Sequence, residues 1–246
     1  ITVMMYNQST QAVAIRRPGD DASLPHHSSA PRDSRGRSRR SSERRHRRPM
    51  SSAILRQNLA LISQEKNRKI PENEKGRLRF IPLGGCGEVT RSCYVYEYED
   101  DIVIVDMGLQ WPDEDMPGID YLIPNVEYLK PRRKNIRGIV ITHGHYDHIG
   151  AIPHLLDALG NPPIFATALT RGVILKRQEE FSHLRRPQIH VVTPESKLKL
   201  GSLGVEFFHV NHNIPDSVGV VLKTPVGTVV HTGDFKFDHT PVNERP

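Results

Sequence analysis

The 246-residue chain has 37% hydrophobic residues, a formal net charge of +6 and two cysteines, Cys86 and Cys93. Its hydrophobic content is enough for one sizeable core, and two cysteines are too few for the disulfide framework of a small secreted domain. No stretch approaches the roughly 18 apolar residues of a membrane span, and the first residues lack the apolar segment of a secretory signal. These features predict a cytoplasmic protein with no membrane partner.

The first 50 residues carry the positive charge of the chain. They contain eleven arginines and four acidic residues, a balance of +7, which leaves −1 for the rest. Residues 16–49 mix Arg, Ser and Pro with few large apolar side chains, a composition typical of disorder. Residues 1–50 are therefore predicted to form a disordered basic tail. Such a tail suits contacts with a nucleic-acid backbone, but a solvated extension or mistranslated upstream sequence has the same composition.

The residue composition and hydrophobic pattern of the sequence change after the tail. Residues 51–76 are predicted to form a short amphipathic helix, over 51–70, and a linker. Residues 77–246 are predicted to form one α/β domain of stacked sheets flanked by helices. Two helices are expected there, at 151–159 and 168–184. Nine short β-branched or aromatic segments predict its strands: LRFIPL, CYVYEY, IVIVDMG, GIVITHG, PIFAT, IHVVT, VEFFHV, VGVVLKT and TVVHTGD.

The segment HGHYDH, at 143–148, follows the predicted strand GIVIT. Imidazole nitrogens and carboxylate oxygens are the ligands of zinc and similar ions in hydrolytic sites. Residues two apart in an extended segment share a face, so His143 and His145 can converge on one ion while Asp147 and His148 turn toward a second. The segment predicts a binuclear metal site, with unconnected surface histidines as the alternative.

This segment, together with several others, resembles the metallo-β-lactamase superfamily and, within it, the ribonuclease J family of the β-CASP group. The segments that carry the resemblance are 83–85, 87–88, 104–106, 118–120, 142–148, 211–217 and 231–238. Of these, NHNIPDS at 211–217 and HTGDFKFD at 231–238 point to ribonuclease J. The resemblance implies a four-layer αββα sandwich. The sandwich is expected to be incomplete, because the family's β-CASP insertion and C-terminal return are missing from the sequence.

The resemblance also implies a set of six metal ligands. His143, His145 and His212 would bind the first ion, and Asp147 and His148 the second. Asp234 would be shared by both. A shared carboxylate agrees with its chemistry, because its two oxygens can span two ions. His209 is the alternative to His212. Asp147 is also expected to orient the attacking water.

Four further features near these ligands have predicted roles. Asp106 resembles the family's buried acid, which orients metal ligands through hydrogen bonds, with a strand-end cap as the alternative. His231 is left out of the site. The glycine-rich segment 84–87 fits either a close approach to substrate or a plain turn. The acidic stretch 113–120 resembles a region that holds a structural cation in some family members.

By resemblance, the function is that of a metal-dependent ribonuclease acting on RNA phosphodiester bonds. Two divalent ions, zinc or else manganese, would serve 5′–3′ exonuclease or endonuclease activity in RNA processing and decay. RNA, further copies of the chain, and RNA-decay or ribosomal factors are the expected partners. Without the β-CASP domain and its last ligand histidine, the chain is expected to be a fragment with little activity alone. The alternatives are another lactamase-fold hydrolase, acting on a thioester, a lactone or a transfer-RNA precursor, and a non-catalytic RNA-binding protein.

Overall fold

The computed structural model describes residues 4–5, 13–15, 73–114, 116 and 118–241, all within one compact unit. Two 3₁₀ helices occur at Lys130–Asn135 and Glu179–Phe181. The helices among these residues are α1 (Tyr146–Ile149), α2 (Ile152–Leu155) and α3 (Ala168–Gln178). The strands are β1 (Met4–Met5), β2 (Val13–Ile15), β3 (Leu78–Gly84), β4 (Cys93–Tyr98), β5 (Asp101–Val105), β6 (Tyr121–Ile123), β7 (Ile136–Val140), β8 (Ile164–Ala166), β9 (Ile189–Val191), β10 (Lys197–Leu200), β11 (Leu203–His209), β12 (Val218–Thr224) and β13 (Gly227–His231).

The strands form one large mixed sheet, one antiparallel sheet and a short pair. The large sheet has the order β1-β3-β4-β5-β7-β8-β9, and β5, β7, β8 and β9 run parallel to one another. Parallel neighbours need crossover connections, and here α1 and α2 link β7 to β8 while α3 links β8 to β9. The second sheet, β10-β11-β12-β13, is built from successive antiparallel strands, and β2 pairs with β6.

The two main sheets pack face to face because alternate residues of their strands are apolar. Val103 and Val105 of β5 share one buried cluster with Val205 and Phe207 of β11. Side chains alternate between the faces of a strand, so Ile104 of β5 points to the opposite face, where it is also fully buried. The helices also bury apolar residues, among them Ile149, Ile152 and Ile174. The predicted α/β architecture of stacked sheets and helices is confirmed.

Each of the nine predicted strand segments contains a strand, but four further strands were not predicted: β1 and β2 in the tail, and β6 and β10 in the domain. β6 is only three residues long, and β10 has the sequence KLKL. The predicted helix at 151–159 is shorter, because turns follow Leu155 as far as Gly160, which has a positive φ of 82°. The predicted helix at 168–184 ends at Gln178 and continues as a 3₁₀ turn.

The N-terminal predictions fall largely outside the described residues. The helix predicted at 51–70 lies wholly outside them, as does most of the tail at 1–50. Within the tail, β1 pairs with β3 and β2 pairs with β6. These five residues precede the Arg-rich stretch, and the disordered basic tail remains a prediction. None of the described helices has the length and apolar character needed to cross a bilayer.

Candidate metal centre

The candidate ligands come from loops that meet at one edge of the two sheets. Segment 142–148 follows β7, and Asp106 follows its parallel neighbour β5. The carboxyl ends of parallel strands lie at the same edge of a sheet, which is where open α/β sheets bind ligands. His212 lies in the connection between β11 and β12, and Asp234 follows β13. Face-to-face packing of the sheets therefore assembles residues that are far apart in sequence.

Three histidines form the first group of candidate ligands. His143 Nε2 lies 2.9 Å from His145 Nδ1, and His212 Nε2 lies 3.3 Å from the same atom. The ring of His143 stands edge-on to both other rings, at 86° and 79°. The ligand nitrogens lie within 4.8 Å of one another. Three converging imidazole nitrogens are a donor set suited to zinc.

A second group contains His143, His148 and Asp234, again with ligand atoms within 4.8 Å of one another. Asp234 faces both groups, because its Oδ1 is 3.5 Å from His148 Nε2 and its Oδ2 is 3.8 Å from His212 Nε2. Asp147 stands at the margin, with Oδ2 3.7 Å from His148 Nε2. The resemblance assigned His143 to the first ion alone, whereas the structure places its ring beside both groups.

Asp106 lies beneath the two groups and is completely buried. Its Oδ1 accepts the Thr142 backbone N–H at 2.8 Å, and its Oδ2 accepts the Thr142 hydroxyl at 2.9 Å and pairs with His148 Nδ1 at 2.8 Å. The Thr142 hydroxyl also lies 3.0 Å from His143 Nδ1. Both imidazoles are therefore fixed through Nδ1, and their Nε2 atoms face the groups. Asp106 has φ of 63°, a strained backbone conformation of the kind that clusters at functional sites.

The protonation of the centre follows from burial and the surrounding charges. Burial, with the neighbouring charge of His148, lowers the pKa of His143 to about 3. Burial also acts to lower the pKa of His148, but the carboxylates of Asp106, Asp234 and Asp147 outweigh it and raise that pKa to about 10. The hydrogen bond with His148 lowers the pKa of Asp234 to about 2. His143 is thus a neutral, ready ligand, whereas His148 must release a proton before it can bind an ion.

Other residues considered from the sequence lie outside the two groups. His209 ends β11, and its Nε2 is 3.2 Å from Asn211 Oδ1. His231 Nδ1 is 3.1 Å from the Tyr96 hydroxyl. In the acidic stretch 113–120, positions 115 and 117 lie outside the described residues, and no metal-binding group is found among the others.

The glycine-rich segment 84–87 makes tight contacts with the chain itself. A Cβ on Gly84 would lie 2.2 Å from the Arg91 carbonyl oxygen. Gly85 has φ of 80°, and a Cβ there would lie 2.2 Å from the Tyr94 hydroxyl. These contacts support the interpretation of the segment as a turn.

Two residues at the centre were not recognised as separate contributors from the sequence. Thr142 follows β7 and directly precedes His143. A hydroxyl next to a candidate ligand histidine is the sequence signal for its role, because it can hydrogen-bond to that imidazole. Arg177 of α3 donates a hydrogen bond to the Gly150 carbonyl oxygen, at the end of α1. No sequence signal marks it, because an arginine within a helix is ordinarily exposed.

Comparison with known proteins agrees with this geometry. Residues 86–246 match the family described as the Metallo-beta-lactamase superfamily. The chain belongs to the metallo-β-lactamase superfamily. The chain is similar to Ribonuclease J of Thermus thermophilus, with 42% identity over 174 residues, which cover 68% of this chain and 30% of that protein. It is also 42% identical over 164 residues to Ribonuclease J2 of Bacillus subtilis, covering 67% and 29%.

Among solved structures, the chain is similar in fold to a protein of unknown function from Enterococcus faecalis. It has a TM-score of 0.50 and 17% identity, and the match covers 64% of this chain and 43% of that one. The predicted metallo-β-lactamase fold and the predicted resemblance to ribonuclease J are both confirmed. This chain spans about 30% of the length of the curated relatives that it matches.

Proposed function

We propose that this chain carries the metal-binding part of a ribonuclease that hydrolyses RNA phosphodiester bonds with two divalent ions. The convergence of two ligand groups on one carboxylate, Asp234, is the observation that carries the proposal. The similarity to ribonuclease J proteins supports RNA as the substrate. Exonucleolytic or endonucleolytic action, further copies of the chain and RNA-decay or ribosomal factors as partners, and a cytoplasmic location belong to the same proposal.

The six candidate ligands fit a pair of zinc ions, or manganese, by donor type. The assignment is His143, His145 and His212 for one ion, Asp147 and His148 for the other, and Asp234 for both. Two such ions, when bound, supply an activated water and neutralise charge on the phosphate oxygens. Two observations support this assignment: the ligand atoms within each group lie within 4.8 Å of one another, and Asp147 Oδ2 lies 3.7 Å from His148 Nε2.

The protein's own groups prepare the centre for this reaction. Asp106 keeps the proton of His148 on Nδ1, so that Nε2 can bind a cation. Thr142 fixes the ring of His143 in the same way. The Asp147 side chain is 32% exposed, so its carboxylate can accept a hydrogen bond from the attacking water and hold it in line with the phosphorus.

Metal analysis and substrate turnover together test the proposal. The purified chain is expected to bind two divalent ions and to cleave 5′-monophosphorylated RNA slowly, but not a thioester. The double variant His143→Ala with His145→Ala should lose metal and the residual cleavage, since both remove imidazole ligands. His183→Ala, a substitution of an exposed histidine, is the matched control and should change neither. Absence of bound metal, or turnover of the thioester in place of RNA, would contradict the proposal.

A further inference from the structure

Arg177 carries a charge that is buried beside the metal centre. Its side chain is 4% exposed, and its nearest carboxylate is Glu180, at 3.8 Å from Nη1 and itself 57% exposed. Nη2 is buried without a hydrogen-bond partner among the described residues. An incompletely paired buried charge is costly. Packing alone therefore gives no advantage to arginine over an apolar side chain at this position.

Aromatic rings surround the guanidinium and offset part of that cost. Its central carbon lies 4.7 Å from the ring centroid of Tyr146, 5.1 Å from that of Phe181 and 5.9 Å from that of Tyr121. Cations are attracted to aromatic faces at such distances. Tyr146 is the residue between the candidate ligands His145 and Asp147. The charge of Arg177 thus acts directly on the ligand segment.

The same guanidinium also holds the end of α1, which carries Asp147 and His148. Arg177 Nε donates to the Gly150 carbonyl oxygen at 3.1 Å. A helix of four residues cannot persist by its own hydrogen bonds, so α1 depends on outside partners. A cation at the C-terminal end of a helix is favourable, because the unpaired carbonyls there carry partial negative charge.

Backbone amides from the 92–109 region also hold α1. Ser92 N–H donates to the Asp147 carbonyl at 2.8 Å, Met107 N–H to that of His148 at 2.7 Å, and Leu109 N–H to that of Tyr146 at 3.0 Å. The donor of the first bond directly precedes β4, and the donors of the other two lie in the loop after β5. The Arg177 bond adds a side-chain donor from α3 to these backbone donors.

We propose that Arg177 is a positioning residue for the second metal site. It fixes the turn that presents Asp147 and His148 by holding the Gly150 carbonyl and the Tyr146 ring together. The first group of three histidines depends on this contact less, because none of its members lies within α1, whereas the second group includes His148. The inference rests on the proposed metal centre, and it adds a side chain whose loss should affect one ion and spare the other.

Arg177→Met tests the inference, because methionine keeps a long unbranched side chain but removes the charge and the donors. Two readouts are needed. In metal-free protein, hydrogen exchange of the amides at 146–150 should become faster. In a cobalt titration, the second ion should bind about 10-fold more weakly, the effect expected from losing one hydrogen bond from a charged donor, while the first binds as in the unchanged protein. Arg171→Met, at an exposed position of the same helix, is the matched control and should change neither.

The conservative variant Arg177→Lys separates positioning from general packing. Lysine keeps the charge and has a single donor nitrogen in place of the guanidinium fork, so exchange and second-ion affinity should fall between those of the unchanged protein and Arg177→Met. If Arg177→Met does not fold, Arg177→Lys and Tyr146→Leu carry the same two readouts. Unchanged exchange at 146–150, or equal weakening of both ions, would overturn the inference. Two tightly bound ions in Arg177→Met would overturn it and leave the proposed function standing, whereas no ions in the unchanged protein would overturn both.

Discussion

Replacing Asp106 with asparagine removes a buried charge while keeping the shape of the side chain. Asp106 accepts two hydrogen bonds from Thr142 and pairs with His148 Nδ1, all without exposure to solvent. The amide oxygen of asparagine can still accept the Thr142 N–H, but the amide nitrogen then faces the hydroxyl and the imidazole as a donor. Removing one partner of a buried charged pair costs about 3–5 kcal/mol, and we expect Asp106→Asn to lower the free energy of unfolding by about that amount.

The same substitution should also change how His148 binds metal. A donor placed opposite Nδ1 favours the imidazole tautomer that carries its proton on Nε2. That proton occupies the nitrogen that faces Asp234 and Asp147. The loss of this outer partner is expected to weaken binding of the second ion by about 10- to 100-fold.

Urea unfolding in EDTA and a separate metal titration measure the two effects. Asp157→Asn is the control, because that carboxylate is 55% exposed and pairs with Arg185 on the surface. It should change stability by no more than about 0.5 kcal/mol. If Asp106→Asn unfolds at the same urea concentration as the unchanged protein and still binds two ions tightly, the role assigned to Asp106 is wrong.

Two further predictions concern the pH dependence of stability and the packing around α1. In metal-free protein, the free energy of unfolding should rise with pH from about 3 to 6.5, since unfolded His143 binds a proton that the folded residue does not. It should fall from 6.5 toward 10, since folded His148 keeps its proton beside carboxylates and unfolded His148 does not; a urea midpoint still rising at pH 9 would refute this. Gly108→Ala should destabilise the fold by about 1–3 kcal/mol, because its Cβ would lie 1.5 Å from the Asp147 carbonyl oxygen. Gly172→Ala, where nothing lies within 4 Å, should instead be neutral or stabilising in the same unfolding measurement.

Much of the strand arrangement could be predicted because half-buried strands carry a simple alternating pattern. Segments such as VEFFHV and VGVVLKT became β11 and β12, whose buried residues face the large sheet. The strand KLKL was missed because its lysines dominate its composition, although Leu198 and Leu200 alternate with them. In that case only pairing with β11 reveals the strand.

The metal centre was predictable to different degrees for different ligands. The spacing within 143–148 indicated a metal site directly, because local geometry brings those side chains together. His212 and Asp234 came only from resemblance, since their approach requires the registers of β11, β12 and β13. The placement of His212 beside His145, with His209 at the end of β11, likewise depends on where that strand ends.

The sequence by itself determined which donor atoms the chain offers and that one short segment supplies several of them. Residue type and spacing are local properties, and they persist in any conformation of the segment. The tertiary structure decided how those donors are held, with Asp106 under His148 and Arg177 beside Tyr146. Burial, charge pairing and ring contacts depend on which distant elements pack together, so they become visible only once the sheets and helices are in place.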